Sequence, residues 1–389
     1  MPSSISSSDA MADSAPPPDT AHRPGFVRLT ASDRPGVAQP VPERDIPDRP
    51  WSLITMLAML VFIAAMATWE WHWRDFGSVP GYRNSDGEWA AQRRRIDEGE
   101  GDATVLAGSS RVLFDVQLPV WESLTAERPI QLAIEGTSPV AIIEDLAADP
   151  DFTGRLLVGV APDLFFTGFS YRGSVLPYYQ KQGPSQRSGN WISEHALEPF
   201  FAFYDPDFAL NTVVRRQAWP QRPGMRPNSR VRKLMVQQAD RNSRMWDKVV
   251  DDVAYRAIVR GIWAEDFGGM PPFLDTPEKR QKTADEQIAK ASAAVAKLRA
   301  RGVPVVFVRL PSTGPYYDNE KKFMPRNKTW DLLITRSGAP GIHFEDHAQL
   351  MGYDLPEWSH LSGPEADRLT AQLVPLVEHE FAQQAMKQP

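Results

Sequence analysis

Apolar residues along the chain fall into three patterns, and each predicts a different element. The first is an uncharged run at residues 52–68, SLITMLAMLVFIAAMAT, flanked by Trp51, Trp69, Trp71 and Trp73. Its seventeen residues have no polar face. At ~1.5 Å rise per residue such a run lies near the short end of what crosses a bilayer core, and the tryptophans suit the interface. The second pattern is a set of short apolar runs at 103–107 (ATVLA), 130–134 (IQLAI), 156–160 (LLVGV), 303–308 (VPVVFV) and 341–344 (GIHF), which read as strands. The third is apolar residues at three- and four-residue spacing over 284–301 and 364–383, which with 139–148 read as helices. Strands alternating with helices predict an α/β fold whose largely parallel sheet is covered on both faces.

The alternation breaks between about 165 and 283, which predicts an inserted, mainly helical segment. It holds aromatic clusters at 177–179 and 200–204 and a basic stretch at 215–248. From 211 to 248 there are ten Lys or Arg against two acids, Asp240 and Asp247, so the stretch is either a solvated helical face or a surface for an anionic polymer or lipid head groups. Residues 1–50 contain ten prolines and few large apolar groups, and so cannot bury enough surface to offset the entropy lost on ordering. The expected organisation is a disordered tail over 1–50, a membrane anchor over 51–73, a polar connector over 74–101 and one domain over 102–385. A buried soluble helix or a signal peptide ending near Ala65-Met66-Ala67 competes with the anchor, but the long leader favours retention. Flanking charge orients the span poorly: Arg34, Arg44 and Arg49 precede it, while Arg74, Arg83 and Arg93 to Arg95 follow it.

Charge and composition then remove several functions. A net charge of −6 over 389 residues lacks the basic footprint of a nucleic-acid binder. The absence of cysteine excludes disulfides and thiolate metal sites. His343 and His347 have helical spacing but no nearby third ligand, and there is no phosphate-binding glycine loop or dinucleotide fingerprint, so neither metal nor cofactor is expected.

The remaining chemistry lies at two ends of the domain. Gly108-Ser109-Ser110-Arg111 follows the first strand, and Glu357-Trp358-Ser359-His360 precedes the last helix. A serine hydroxyl is a weak nucleophile until a base takes its proton, and a histidine base works best when a carboxylate fixes its tautomer. Ser110, His360 and Glu357 fit those roles. Asp346 and Asp354 also lie near His360 and compete to orient it. Backbone N–H groups at Ser110 and in the loop carrying Gly136 are candidates for an oxyanion hole. Arg111, Arg309, Ser312 and Tyr316 are the candidate substrate-binding residues, with Arg309 equally suited to a structural ion pair. Both catalytic segments lie beyond the C-terminal ends of predicted strands, the edge where open α/β sheets bind ligands.

These segments resemble the SGNH, or GDSL-like, hydrolase superfamily over about 102–164 and 284–385. Ser110 stands in the first block with Ser109 in place of the common aspartate, Gly136 in Glu135-Gly136-Thr137-Ser138 matches the glycine block, and Glu357 replaces the usual aspartate of the last block. The resemblance implies a three-layer αβα, flavodoxin-like fold. With the apolar anchor and the closing His360-Leu361-Ser362, it is closest in kind to the membrane-anchored branch associated with O-acylation of envelope polysaccharides. That branch implies a single-pass inner-membrane protein with its C-terminal domain in the periplasm, an acyl, chiefly acetyl, transferase or esterase activity, a polysaccharide substrate and a membrane-bound acyltransferase partner. Alternatives are a lipid or carbohydrate ester hydrolase and a noncatalytic glycan-binding or envelope assembly protein. One departure bears on the choice: the third block supplies an oxyanion asparagine, whereas this chain has Asp163 in Ala161-Pro162-Asp163-Leu164. An ionised Asp163 cannot donate a hydrogen bond.

Overall fold

The structure, a computed structural model, describes residues 47–217, 232–265 and 267–386. The disordered tail expected at 1–50 therefore lies outside the described residues except for its last four. Helix α1 (Trp51–Asp75) carries the apolar run; none of its residues is buried, and with a mean hydropathy of 2.1 over its apolar window it is long and apolar enough to cross a membrane.

The strands are β1 (Thr104–Ala107), β2 (Ile130–Gln131), β3 (Arg155–Gly159), β4 (Met235–Gln237), β5 (Ser243–Met245), β6 (Val305–Arg309) and β7 (Gly341–His343). Five of them form one parallel sheet in the order β2-β1-β3-β6-β7, with Val105 opposite Leu156 and Leu157 opposite Val306. All five expected strands are present, displaced by one or two residues. β2 is shorter than expected, yet its neighbours continue the ladder, since Leu132 N donates to Leu106 O and Ile134 N to Gly108 O, both at 2.9 Å.

The principal helices after α1 are α2 (Asp86–Arg95), α3 (Ser110–Asp115), α4 (Val140–Ala148), α5 (Leu210–Arg215), α6 (Val253–Glu265), α7 (Pro277–Ala300), α8 (Gly314–Phe323), α9 (Trp330–Ser337) and α10 (Gly363–Ala385). Alternation along each strand divides the core in two. Val105, Leu156, Val158, Val305 and Phe307 pack with Ile143 of α4, Ile288 of α7 and Leu333 of α9. Leu106, Leu157, Val306 and Val308 pack on the other face with Leu113 of α3, Val259 of α6 and Leu373 of α10. Helices therefore cover both faces, and the strands can be apolar throughout.

One expectation is corrected here. The segment 74–101 is more than a polar connector: α2 starts at Ser85, whose hydroxyl accepts from Glu88 N, and it buries Trp89, whose indole donates to Leu132 O at 2.9 Å. Its cluster of charges masks that large core residue in the sequence. The insertion is mainly helical, as expected, and also carries one short hairpin: β4 and β5 pair antiparallel, and Tyr82 bridges to Gln237. Among the described residues of the basic stretch, Lys233 and Arg241 are buried, Arg216, Arg232, Arg244 and Lys248 are half-buried and Arg215 is exposed. Arg241 is fully buried and donates to Gln131 O, Ala133 O and Asn84 Oδ1, which joins this hairpin to the end of β2. Lys233 pairs with Asp205, Arg216 with Asp207 and Arg244 with Asp367; Arg230 lies outside the described residues.

Candidate active site

The turn from β1 into α3 brings Ser110 to the C-terminal edge of the sheet. Val112 packs back against the strands so closely that a Cβ at Gly108 would meet its Cγ2 at 2.5 Å and one at Gly159 would meet it at 2.0 Å. Glycine at both positions is what permits α3 to start here. Ser110 is half-buried while Ser109 and Arg111 on either side are buried, so the hydroxyl is the accessible group of this turn.

The loop before α10 supplies the rest. Trp358 adopts φ 75°, a left-handed conformation that costs a tryptophan about 1–3 kcal/mol, and its carbonyl accepts from Thr313 N at 2.9 Å. The kinked loop folds Glu357 under His360: Glu357 Oε1 accepts from both the backbone N–H and Nδ1 of His360, each at 2.7 Å. A carboxylate oxygen on Nδ1 fixes the proton there and leaves Nε2 as the acceptor. His360 Nε2 lies 2.8 Å from Ser110 Oγ. The imidazole is buried and stacks on Phe114 at 4.4 Å between centroids. Of the acids that competed in the sequence, Asp346 pairs with Arg326 and Asp354 is exposed.

The four expected substrate-binding residues meet in a buried ionic cluster organised by Glu320 of α8. Arg111 Nη2 lies 2.8 Å from Glu320 Oε1, and Arg309 Nη2 lies 2.6 Å from Glu320 Oε2, which also accepts from Ser312 Oγ at 2.6 Å. Burial opposes ionisation of Glu320, but Arg111 and Arg309 outweigh it and hold the carboxyl below the usual range. Arg309 and Ser312 thus face an internal carboxylate rather than an open cleft, which favours the ion-pair role for Arg309. Tyr316 is half-buried, lies under the Arg111 guanidinium at 5.1 Å, and donates its hydroxyl to Asp163 Oδ2 at 2.7 Å. Asp163 Oδ1 is buried without a hydrogen-bond partner among the described residues. Burial, and then the charge of Glu320, raise the Asp163 carboxyl above its ordinary value.

At the candidate oxyanion positions, neither the Ser110 nor the Gly136 amide has an acceptor among the described residues. Gly136 has φ 56°, and its carbonyl accepts from Tyr171 N at 3.0 Å. It follows Ile134, which pairs with Gly108, so both loops leave the same edge of the sheet.

Two side chains at this site escape sequence reasoning. Trp263 of α6 donates its indole N–H to Glu357 Oε2 at 2.5 Å, so the carboxylate is held on both oxygens. Asp115, fully buried at the end of α3, accepts from Leu361 N at 2.9 Å, and burial pushes its carboxyl up to about 7 even though His360 nearby favours its charge. Trp263 reaches the site across 94 residues of chain, and Asp115, although on α3 with Ser110, is tied to the closing loop only through the fold. No protein-family model matches the chain, and no curated protein matches it.

Proposed function

We propose that the protein is a serine-dependent acyl-transfer enzyme with an SGNH-like domain, acting as an O-acyltransferase or esterase on the acyl groups, chiefly acetyl, of an envelope or extracellular polysaccharide. The observation that carries this reading is the continuous line from Ser110 Oγ through His360 Nε2 and Nδ1 to Glu357 Oε1, with links of 2.8 and 2.7 Å. As Ser110 Oγ attacks an acyl carbonyl, His360 Nε2 takes its proton, and Glu357 stabilises the resulting imidazolium. Collapse of the tetrahedral intermediate returns that proton to the leaving oxygen. The acyl-serine then passes to water or to a glycan hydroxyl, with His360 as base again.

Strand order supports the fold assignment: counted within the parallel sheet it is 2-1-3-4-5, the flavodoxin-like order, and the site lies beyond the C-terminal ends of its strands. Asp163 is compatible with it. Burial raises this carboxyl above its ordinary value, and its protonated form has an O–H that can donate where the family places an asparagine. Helix α1 supports a single-pass anchor, and the reading places the domain in the periplasm, where a membrane-bound acyltransferase can deliver the acyl group.

A serine-directed phosphonylating probe tests the nucleophile. Ser110→Ala should abolish labelling while leaving the melting temperature within about 1–2 °C, because the change is small and half-exposed. Undiminished labelling of the folded variant rejects Ser110, and no labelling of the parent protein favours a noncatalytic glycan-binding role. Incubation with an acyl-ester donor, with and without glycan acceptors, separates transfer from hydrolysis.

A further inference from the structure

Helix α1 carries nineteen uncharged residues from Trp51 to Trp69 before Glu70, its first charge, with Arg74 one turn later. At ~1.5 Å per residue that length covers about 28 Å, close to the thickness of a hydrocarbon core. The residues just past this boundary are fixed to the folded body. Ala202 N and Phe203 N each donate to Glu70 at 3.0 Å, Arg74 Nη2 donates to Phe200 O at 2.9 Å, and Trp69 Nε1 donates to Phe208 O at 3.2 Å. Trp73 stacks on Phe208 with 4.4 Å between centroids.

Helical side chains lean toward the helix N-terminus, so the groups they hold lie level with the preceding turn. The segment from Phe200 to Phe208 is thereby held within about one helical turn, roughly 5 Å, of the end of the apolar run. This part of the body also presents apolar side chains to the outside: Phe200 is 59% exposed, Leu210 61% and Phe201 38%, while Trp71 on the helix itself is 66% exposed.

We infer that Phe200, Phe201 and Leu210 form a collar that docks on the lipid surface around α1, entering the interfacial layer beside Trp71. The occupant is a bilayer because the collar continues the apolar surface of α1 at the depth where aromatic side chains partition between hydrocarbon and water. Its consequence is a domain held on the membrane in one orientation by Glu70 and Arg74, rather than swinging on a tether. The inference rests on α1 crossing a bilayer and is independent of the catalytic reading.

The chain has no cysteine, so a single introduced thiol carries a unique probe. The full chain is placed in vesicles of phosphatidylethanolamine and phosphatidylglycerol with an environment-sensitive fluorophore at Phe201→Cys, Leu210→Cys, Leu60→Cys or Leu124→Cys, each checked for an unchanged thermal melt. The probes at 201 and 210 should shift to shorter wavelength and be quenched several-fold more by lipids labelled near the head group than by lipids labelled near the chain end. The Leu60 probe should respond most to deep quenchers, and the Leu124 probe to neither. Unquenched probes at both 201 and 210 beside a quenched one at 60 overturn the collar while leaving the anchor intact. Short-wavelength emission at 201 and 210 without lipid quenching also overturns it and assigns the patch to a second protein chain. An unquenched Leu60 probe removes the anchor itself, and the collar with it.

Discussion

Asp163 and Tyr316 set the least conventional chemistry of the site. Tyr316 satisfies one carboxyl oxygen of Asp163, while the other is sealed without a partner among the described residues, next to a cluster already containing Glu320. On the proposed reading, the protonated form of this raised carboxyl would donate to a developing oxyanion once substrate opens access to Oδ1. Asp163→Asn, which keeps a neutral donor, should therefore retain ester turnover within a few-fold at neutral pH, whereas Asp163→Ala should reduce kcat by roughly 10²–10³. Equal losses in steady-state assays of the two variants would remove the donor role. The pairing of Glu357 with His360 was legible before the fold because an acid three residues ahead of a histidine puts both side chains in one turn. The inward commitment of Arg309 and Ser312 was not, because Glu320 lies in a separate helix and is one acid among many in the chain.

At the scale of elements, α6 is the part of the insertion that reaches the candidate site. Its Trp263 contacts Glu357 across 94 residues of sequence, and Arg260 one turn earlier donates to Pro356 O at 2.8 Å and covers the Trp358 ring at 5.0 Å. The helix braces the loop that carries the base. A hydrogen bond to a carboxylate contributes about 1.5–3 kcal/mol, so Trp263→Phe should slow Ser110 labelling by about ten- to a hundredfold with a smaller effect on unfolding. An unchanged labelling rate would reduce the insertion to a cover. Sequence reasoning found the strands because parallel strands buried on both faces read as unbroken apolar runs. It could not place α6, whose value to the site lies in one indole proton, nor α2, where Trp89 is hidden among five charged residues in ten.

At the scale of the whole molecule, buried acids shape the response to pH. Asp115 has a folded value near 7 against an ordinary value near 3.8, so between those limits the native chain binds more protons than the unfolded chain. Stability from this group is complete below about pH 4 and is lost as pH rises through about 7, a change of up to about 4 kcal/mol. Glu88 acts in the same direction, raised first by burial and then by Glu198 beside it. Urea unfolding at pH 5 and pH 8 should show the parent protein less stable at the higher pH, and Asp115→Asn should narrow that difference. An unaltered difference would place the linkage elsewhere. Asp115 also ties the two ends of the domain together, since Leu361 N bonds its carboxylate and Thr370 of α10 bonds its carbonyl at 3.1 Å. That closure has a consequence for biosynthesis. Ser110 emerges from the ribosome 250 residues before His360, and the apolar helix α1 earlier still. On the proposed reading, Ser110 therefore has no base beside it until the closing loop and α10 have seated on α3.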